Sequence, residues 1–343
     1  MTNAIIRSNT ALRPPSSDDV FSSRRERAVP ESAGKIVHVV CCGASSFDSI
    51  FQLDSLPSGP GKVLPSRVTE VSHGMAASAA AAIARLGGRS ALLSRVGDDA
   101  IGERIVADLT AAGIDCRFIR RARGARSPIS TVLVDRHGER LVVPYYDPAL
   151  GQDPSWLPLE LVARADAALV DIRWPEGAAA VLKAARAAGR PAVLDADTGP
   201  AGVTVELAEL ASHVVFSEPA ALALSGASNP GPALRALAGR FAGFLAVTAG
   251  PDGCFWLDRE RDRVEQLRPP AVEAVDTLAA GDVFHGAFTL AIAEGAPIPR
   301  AIAFANVAAA LKCRSFGGRL GTPGRAEVEA VLSGLERTGL EER

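Results

Sequence analysis

In this 343-residue chain, the stretch Asp276-Thr277-Leu278-Ala279-Ala280-Gly281-Asp282 has the residue types and spacing best suited to chemistry. Small side chains at 279–281 let successive backbone N–H groups crowd together. The residues after it read as a helix, because Phe284, Ala287, Phe288, Ala291 and Ile292 recur at helical spacing before Gly295 and Pro297 end the run. A tight turn that opens a helix aims unpaired N–H donors and a partial positive charge at one point, which suits an anion. Asp282 stands at that point. A carboxylate there is electrostatically awkward unless it accepts a proton as negative charge moves onto phosphate, the arrangement of a phosphoryl-transfer site with a general base. The same residues would also serve a buried helix capped by an ordinary Asp.

The elements around this stretch alternate. Residues 35–42 form an apolar run ending at Gly43, as expected of a strand buried on both faces, and Asp48 follows in the loop at its carboxyl end. Residues 75–86 are a small-residue helix able to pack close to a sheet. Residues 90–96, 165–172, 191–194, 213–216 and 244–248 read as further strands, with an alanine-rich helix over 176–188 and an amphipathic one over 325–335. This β-α-β-α rhythm predicts a doubly wound, mainly parallel sheet flanked by helices. Asp98 and Asp99 are placed to cap the helix that starts near Ile101. Arg173 and Asp195 fall at strand ends facing the presumed cleft. Gly250 and Gly253 bracket a turn able to approach a nucleotide closely, and Asn306 lies in an apolar run where an unbonded amide would be costly. Residues 117–143 alternate like a hairpin around 135–138. Residues 1–34 read as a disordered tail ahead of one domain over 35–335.

Composition narrows the function. With 48% hydrophobic residues the chain can bury a large core. A formal net charge of −2 gives no basic field, so nucleic acid is not expected as a partner. No apolar run approaches the roughly 18 residues of a membrane span. Five cysteines without a C-x-x-C pair fit reduced thiols, and the chain is expected to be cytoplasmic. No G-x-G-x-x-G follows the first strand, which argues against a dinucleotide site. Gly61-Lys62 does not make a P-loop, since Leu56 and Val63 stand where that motif needs Gly and Ser or Thr.

Residues 276–282 resemble the D-T-x-G/A-A-G-D signature of the PfkB (ribokinase-like) carbohydrate kinases. Four more segments resemble the same family in the same order: the Gly74 region into 84–87, residues 96–102, 247–253, and 304–310. Residues 171–174, 216–219 and 310–313 look most like its bacterial sulfofructose kinase branch. The resemblance implies a ribokinase-like fold with a small β-sheet lid over about 48–73 and 117–147. It implies ATP and Mg2+ as cofactors, with K+ as a further option, and transfer of the γ-phosphoryl of ATP to a sugar hydroxyl. Asp282 would be the base, and the N–H groups of Ala279, Ala280 and Gly281 would receive the phosphate charge. Asp48, Gly74 and Ser78 would bind the sugar, although His73 and Ser78 stand where the family usually has Gly and Asn. Lys62 and Arg123 would meet an anionic substrate if the cluster Arg117, Arg120, Arg121, Arg123 and Arg126 is more than a solvated face. Ser217, Glu218, Thr248, Gly250, Gly253 and Asn306 would face the nucleotide, with Glu218 reaching Mg2+ through water. Asp276, Leu278 and Gly317 would hold the monovalent cation, beside Gly318 and Gly321. Sulfofructose is the first substrate expectation; fructose, ribose and 2-keto-3-deoxygluconate are alternatives, as is a sugar-binding regulator without turnover. Lid edges suggest a homodimer.

Overall fold

The computed structural model describes residues 36–338, so the expected tail lies outside the described residues. Strands β1 (His38–Cys42), β2 (Ser46–Gln52) and β3 (Arg67–His73) precede helix α1 (Met75–Arg85). Then come β4 (Arg89–Gly97), α2 (Ala100–Ala111), β5 (Ile119–Ala122), β6 (Ile129–Val134), β7 (Arg140–Tyr145) and α3 (Leu159–Arg164). The middle of the chain runs β8 (Ala167–Asp171), α4 (Pro175–Ala187), β9 (Ala192–Ala196), α5 (Ala201–Leu210), β10 (His213–Ser217), α6 (Glu218–Ser225) and α7 (Pro230–Ala238). It closes with β11 (Phe244–Thr248), β12 (Cys254–Asp258), β13 (Arg263–Leu267), α8 (Ala280–Ala293), α9 (Ile298–Lys312) and α10 (Arg325–Thr338).

A nine-stranded sheet has the order β13-β12-β11-β10-β9-β8-β1-β4-β5, parallel except for the antiparallel pairs β11–β12 and β12–β13. The order reverses beside β1, so the carboxyl ends of β1, β8 and β9 open a crevice where such sheets place ligands. Alternation along β1 sends Val39 and Cys41 into one core with α1, α8 and α9, and Val40 and Cys42 into another with α4 and α7. The sheet is therefore covered on both faces, as its continuous apolar strands require. Helix α1 comes close to α8 because Gly286 lacks a side chain, and a Cβ there would lie 2.5 Å from the Ala79 carbonyl oxygen. Asp99 caps α2, accepting from Gly102 N–H at 2.8 Å, as its position in the sequence suggested.

A second sheet has the order β3-β2-β6-β7. The expected small sheet is thus present, with one correction to the segments expected in it. The arginine-rich stretch does not belong to it: residues 119–122 pair parallel with β4 at the edge of the large sheet. A two-residue alternation cannot tell a hairpin strand from an edge strand, and β6 starts the lid's second half only at Ile129. The small sheet's core consists of Ile50, Val71, Val132 and Val134, closed by Leu278 from the stretch that carries the chemistry. Thr277 adds a polar tie, donating from Oγ1 to the Gly138 carbonyl at 2.7 Å and accepting from Arg140 at 2.8 Å.

Leu278→Ala should therefore destabilise the protein by about 2–4 kcal/mol, the usual range for emptying such a site. Denaturant unfolding checks this, and a change below about 0.5 kcal/mol would show that the plug contributes little.

Candidate active site

The turn before α8 is built around Asp276, which is wholly buried. One carboxylate oxygen accepts from Leu278 N–H at 2.8 Å, and the other from Gly317 and Gly318 N–H at 2.9 and 2.8 Å. Lys312, also wholly buried at the end of α9, donates from Nζ to the Asp276 carbonyl at 2.6 Å and lies 3.5 Å from its carboxylate. Ala279 then takes a left-handed conformation, φ 66°, which turns the chain into α8. This brings the first N–H groups of the helix to the mouth of the crevice.

This geometry does not suit the monovalent cation that the resemblance implies at Asp276, Leu278 and Gly317. Three N–H groups already engage the Asp276 carboxylate, Lys312 balances its charge, and the Gly317 carbonyl accepts from Leu320 N–H at 3.3 Å. A second cation would place two positive charges against one carboxylate.

Asp282, in the first turn of α8, is half-buried. Burial, followed by the neighbouring Asp195 carboxylate, pushes its carboxyl well above the ordinary range. Burial also pushes Asp195 up and lowers His285. His285 Nε2 lies 3.3 Å from Asp195, and Nδ1 lies 2.7 Å from the Gly281 carbonyl. The Val215 carbonyl also lies 3.2 Å from Nε2, so the ring is held between two backbone carbonyls, with the Asp195 carboxyl beside Nε2. Asp197 sits alongside, accepting from Arg173 at 3.2 Å and from Ser217 Oγ at 2.9 Å. Arg173 thus pairs with Asp197, and Asp195 is buried against His285. Asp197 and His285 were not singled out in the sequence: Ser217 lies 20 residues from Asp197, and Val215 and Asp195 are at least 70 residues from His285.

On the small-sheet side Asp48 is buried, accepting from Ser46 Oγ at 2.7 Å and lying 3.3 Å from His73 Nδ1. Burial lowers the His73 pKa, so the ring is neutral there. Asp48 is in register with Ser130 on β6. The hydroxyls of Ser130 and Ser78, and Nε2 of His73, are buried without a hydrogen-bond partner among the described residues. Buried polar atoms left unpaired in this way call for a partner that the protein itself does not supply. Gly74 caps α1 at φ 107°, tight against the Ala44 carbonyl, which sets Ser78 behind the loop after β1. Tyr146, just beyond β7, links the two sides: burial first, then Asp171, Asp48 and Asp282, pushes its phenol to about 12. Asp171 itself accepts N–H bonds from Ala44, Ala76 and Arg173 at 2.8–2.9 Å and so pins α1 to the crevice. Lys62 lies exposed in the loop between β2 and β3, and Arg123 lies exposed in the turn after β5.

Towards β11 the remaining expected residues line up along one sheet edge. Ser217 caps α6, accepting from Ala220 N–H at 3.4 Å, and Glu218 is half-buried next to it. Thr248 is in register with Ser217. Gly250 opens a short helical turn at φ 51°. Gly253 leaves no room for a side chain, since a Cβ would lie 2.1 Å from the Leu267 carbonyl. That carbonyl accepts from the Asn306 amide at 2.8 Å, which settles the amide's place in its apolar run.

A family model described as pfkB family carbohydrate kinase matches residues 37–325. Ribokinase from Bacillus subtilis is 30% identical over 303 residues, covering 86% of this chain and 99% of the relative. An Agrobacterium tumefaciens crystal structure assigned as a ribokinase superposes with a TM-score of 0.85 at 47% identity, covering 90% of this chain and all of that one. Ribokinase from Arabidopsis thaliana, complexed with ribose and ATP, shares the fold with a TM-score of 0.75 at 24% identity, over 87% and 99% of the two chains.

The raised pKa of Asp282 has a stability consequence with a definite sign. Its ionised form is disfavoured in the fold, so its contribution is full below the ordinary carboxylate range and is lost as pH rises through the elevated value. Asp282→Asn should melt above the parent protein at neutral pH, with the advantage vanishing below about pH 4. Melting curves against pH check this; a variant that melts below the parent at neutral pH would show that the carboxylate is stabilised by its surroundings.

Proposed function

Since the chain belongs to the pfkB family of carbohydrate kinases and is a phosphotransferase acting on a sugar hydroxyl, we propose that Asp282 is its general base and ATP its phosphoryl donor. The observation that carries this reading is a carboxyl held well above its usual range at the opening of α8, beside a turn of N–H donors. Asp282 takes the proton from the attacking hydroxyl, most simply a primary one. The N–H groups of Ala279, Ala280 and Gly281 receive charge on the transferring phosphate. Closure of the small sheet keeps water from competing. Mg2+ supplies charge neutralisation when carried in on the phosphates. The described residues contain no group of three His, Cys, Asp or Glu disposed to hold a metal, and this suits an ion that keeps its waters and meets Glu218 through one of them. Ser217, Thr248, Gly250, Gly253 and Asn306 define the nucleotide side of this reading.

For the acceptor, Asp48 with the unpaired Ser78 and Ser130 hydroxyls favours a neutral sugar rich in hydroxyls, a pentose such as ribose or a ketose such as fructose. Sulfofructose ranks second, because Arg173 is already engaged by Asp197 while Lys62 and Arg123 lie exposed. A homodimer would form through the small sheet, whose edge strand β7 is exposed along its length and presents Leu141, Val142 and Val143. The five cysteines are unpaired, which supports a reducing, cytoplasmic setting.

ATP consumption with Mg2+ across ribose, fructose, 2-keto-3-deoxygluconate, sulfofructose and sugar phosphates tests the reading. Turnover with a neutral sugar is expected, and Asp282→Asn should lose on the order of 10²-fold or more in rate. Near-normal turnover by that variant would remove Asp282 from the mechanism, and turnover with anionic sugars alone would move the acceptor assignment to Arg123 and Lys62. Light scattering should give twice the chain's mass, and Val143→Asp should return it to the monomer; a wild-type monomer would refute the dimer.

A further inference from the structure

Lys312 is a lysine without solvent, a placement that is costly unless the charge has a purpose or a partner. Its partner is Asp276, through both the carbonyl and the carboxylate. It stands at the last residue of α9, where the carbonyl end of a helix favours a cation. From there it sits behind the turn whose N–H groups face the phosphate. The other charged or titratable groups that bear on it are Cys313 beside it and Arg140 from the small sheet; it in turn bears on His73. Asp276 is the carboxylate that the resemblance assigns to a potassium ion, and its hydrogen bonds and charge are already committed.

We propose that the Lys312 ammonium is the built-in monovalent cation of this turn, so that the enzyme needs no added K+ to hold the turn in its phosphate-receiving form. Lys312 is a positioning residue here: it touches neither sugar nor nucleotide and acts through Asp276. The inference rests on the sugar-kinase reading only for where the phosphate goes. Nucleotide binding, which needs no acceptor sugar, is therefore the quantity to measure.

Affinity for Mg–ADP and the melting temperature are measured in KCl and in tetramethylammonium chloride at equal ionic strength, for the wild type, Lys312→Ala and Lys312→Met. The wild type should give the same values in both salts, within about twofold in affinity. Lys312→Ala should lose about 10- to 100-fold in affinity in tetramethylammonium, as variants of outer-shell ligands do at metal sites. K+ or ammonium should restore it, because the emptied space lies against an uncompensated carboxylate. Lys312→Met fills that space with an uncharged chain and should not be restored. Once an acceptor is in hand, the loss in Lys312→Ala should fall on kcat as well as KM, and K+ should recover both. A wild type whose affinity rises tenfold or more in K+ would overturn the proposal, as would a Lys312→Met variant that binds Mg–ADP and melts like the wild type. The salt comparison on the wild type stands even if neither variant folds.

Discussion

The buried Asp276 carboxylate is the constraint on which the rest of the site depends. It fixes the Leu278 N–H on one side and the 317–318 loop on the other, and it anchors the Lys312 ammonium. With Leu278 held, the side chain of that residue is committed to the core of the small sheet. Thr277 is likewise committed to the hairpin turn between β6 and β7. The turn that opens α8, Asp282 beyond it and one end of the small sheet therefore share a single frame. A buried ion pair is close to neutral in stability against apolar residues of the same size. The physical return on this one is a defined geometry, because neither partner can leave without stranding the other's charge.

On that frame the protein gathers like charges that solvent would keep apart. Asp171 and Asp197 bear on Asp195, and all three bear on Asp282, with Arg173 as the guanidinium among them. The shares differ. Asp197 has Arg173 and Ser217, and Asp171 has three N–H donors, so each has partners for its charge. Asp195 has a neutral imidazole and Asp282 has the mouth of a helix. Burial, with repulsion inside the group added to it, raises the carboxyls of Asp195 and Asp282 above the ordinary range.

Much of this frame was legible in the sequence where the information is local. The parallel rhythm, the cap at Asp99 and the turn opening α8 rest on composition and spacing within a dozen residues. Asp282 was singled out from its immediate neighbours alone. The residues that escaped are those whose meaning lies in a partner remote in sequence. Lys312 and Asp276 are 36 residues apart, Asp171 and Ala44 127, and Ser130 reaches Asp48 only through strand register. A lysine after three alanines and a leucine at a helix end reads as a solvated tip, and no local signal marks it as buried. The arginine-rich stretch failed differently: its alternation is genuine, but an edge strand of the large sheet satisfies it as well as a lid strand does.

Ala279 shows what the frame can enforce. A non-glycine residue in the left-handed region is strained by about 1–2 kcal/mol, and the sequence supplies Gly two residues later rather than here. The strain persists because both flanks are fixed: Leu278 is plugged into the small sheet, and the Ala279 carbonyl already accepts from Val283 N–H at 2.9 Å as the first bond of α8. The turn cannot relax without withdrawing the plug or fraying the helix that carries Asp282. Backbone strain of this kind survives where the surroundings over-determine it. Here those surroundings are the Asp276–Lys312 pair and the core of the small sheet, which together hold the turn that opens α8 in one conformation.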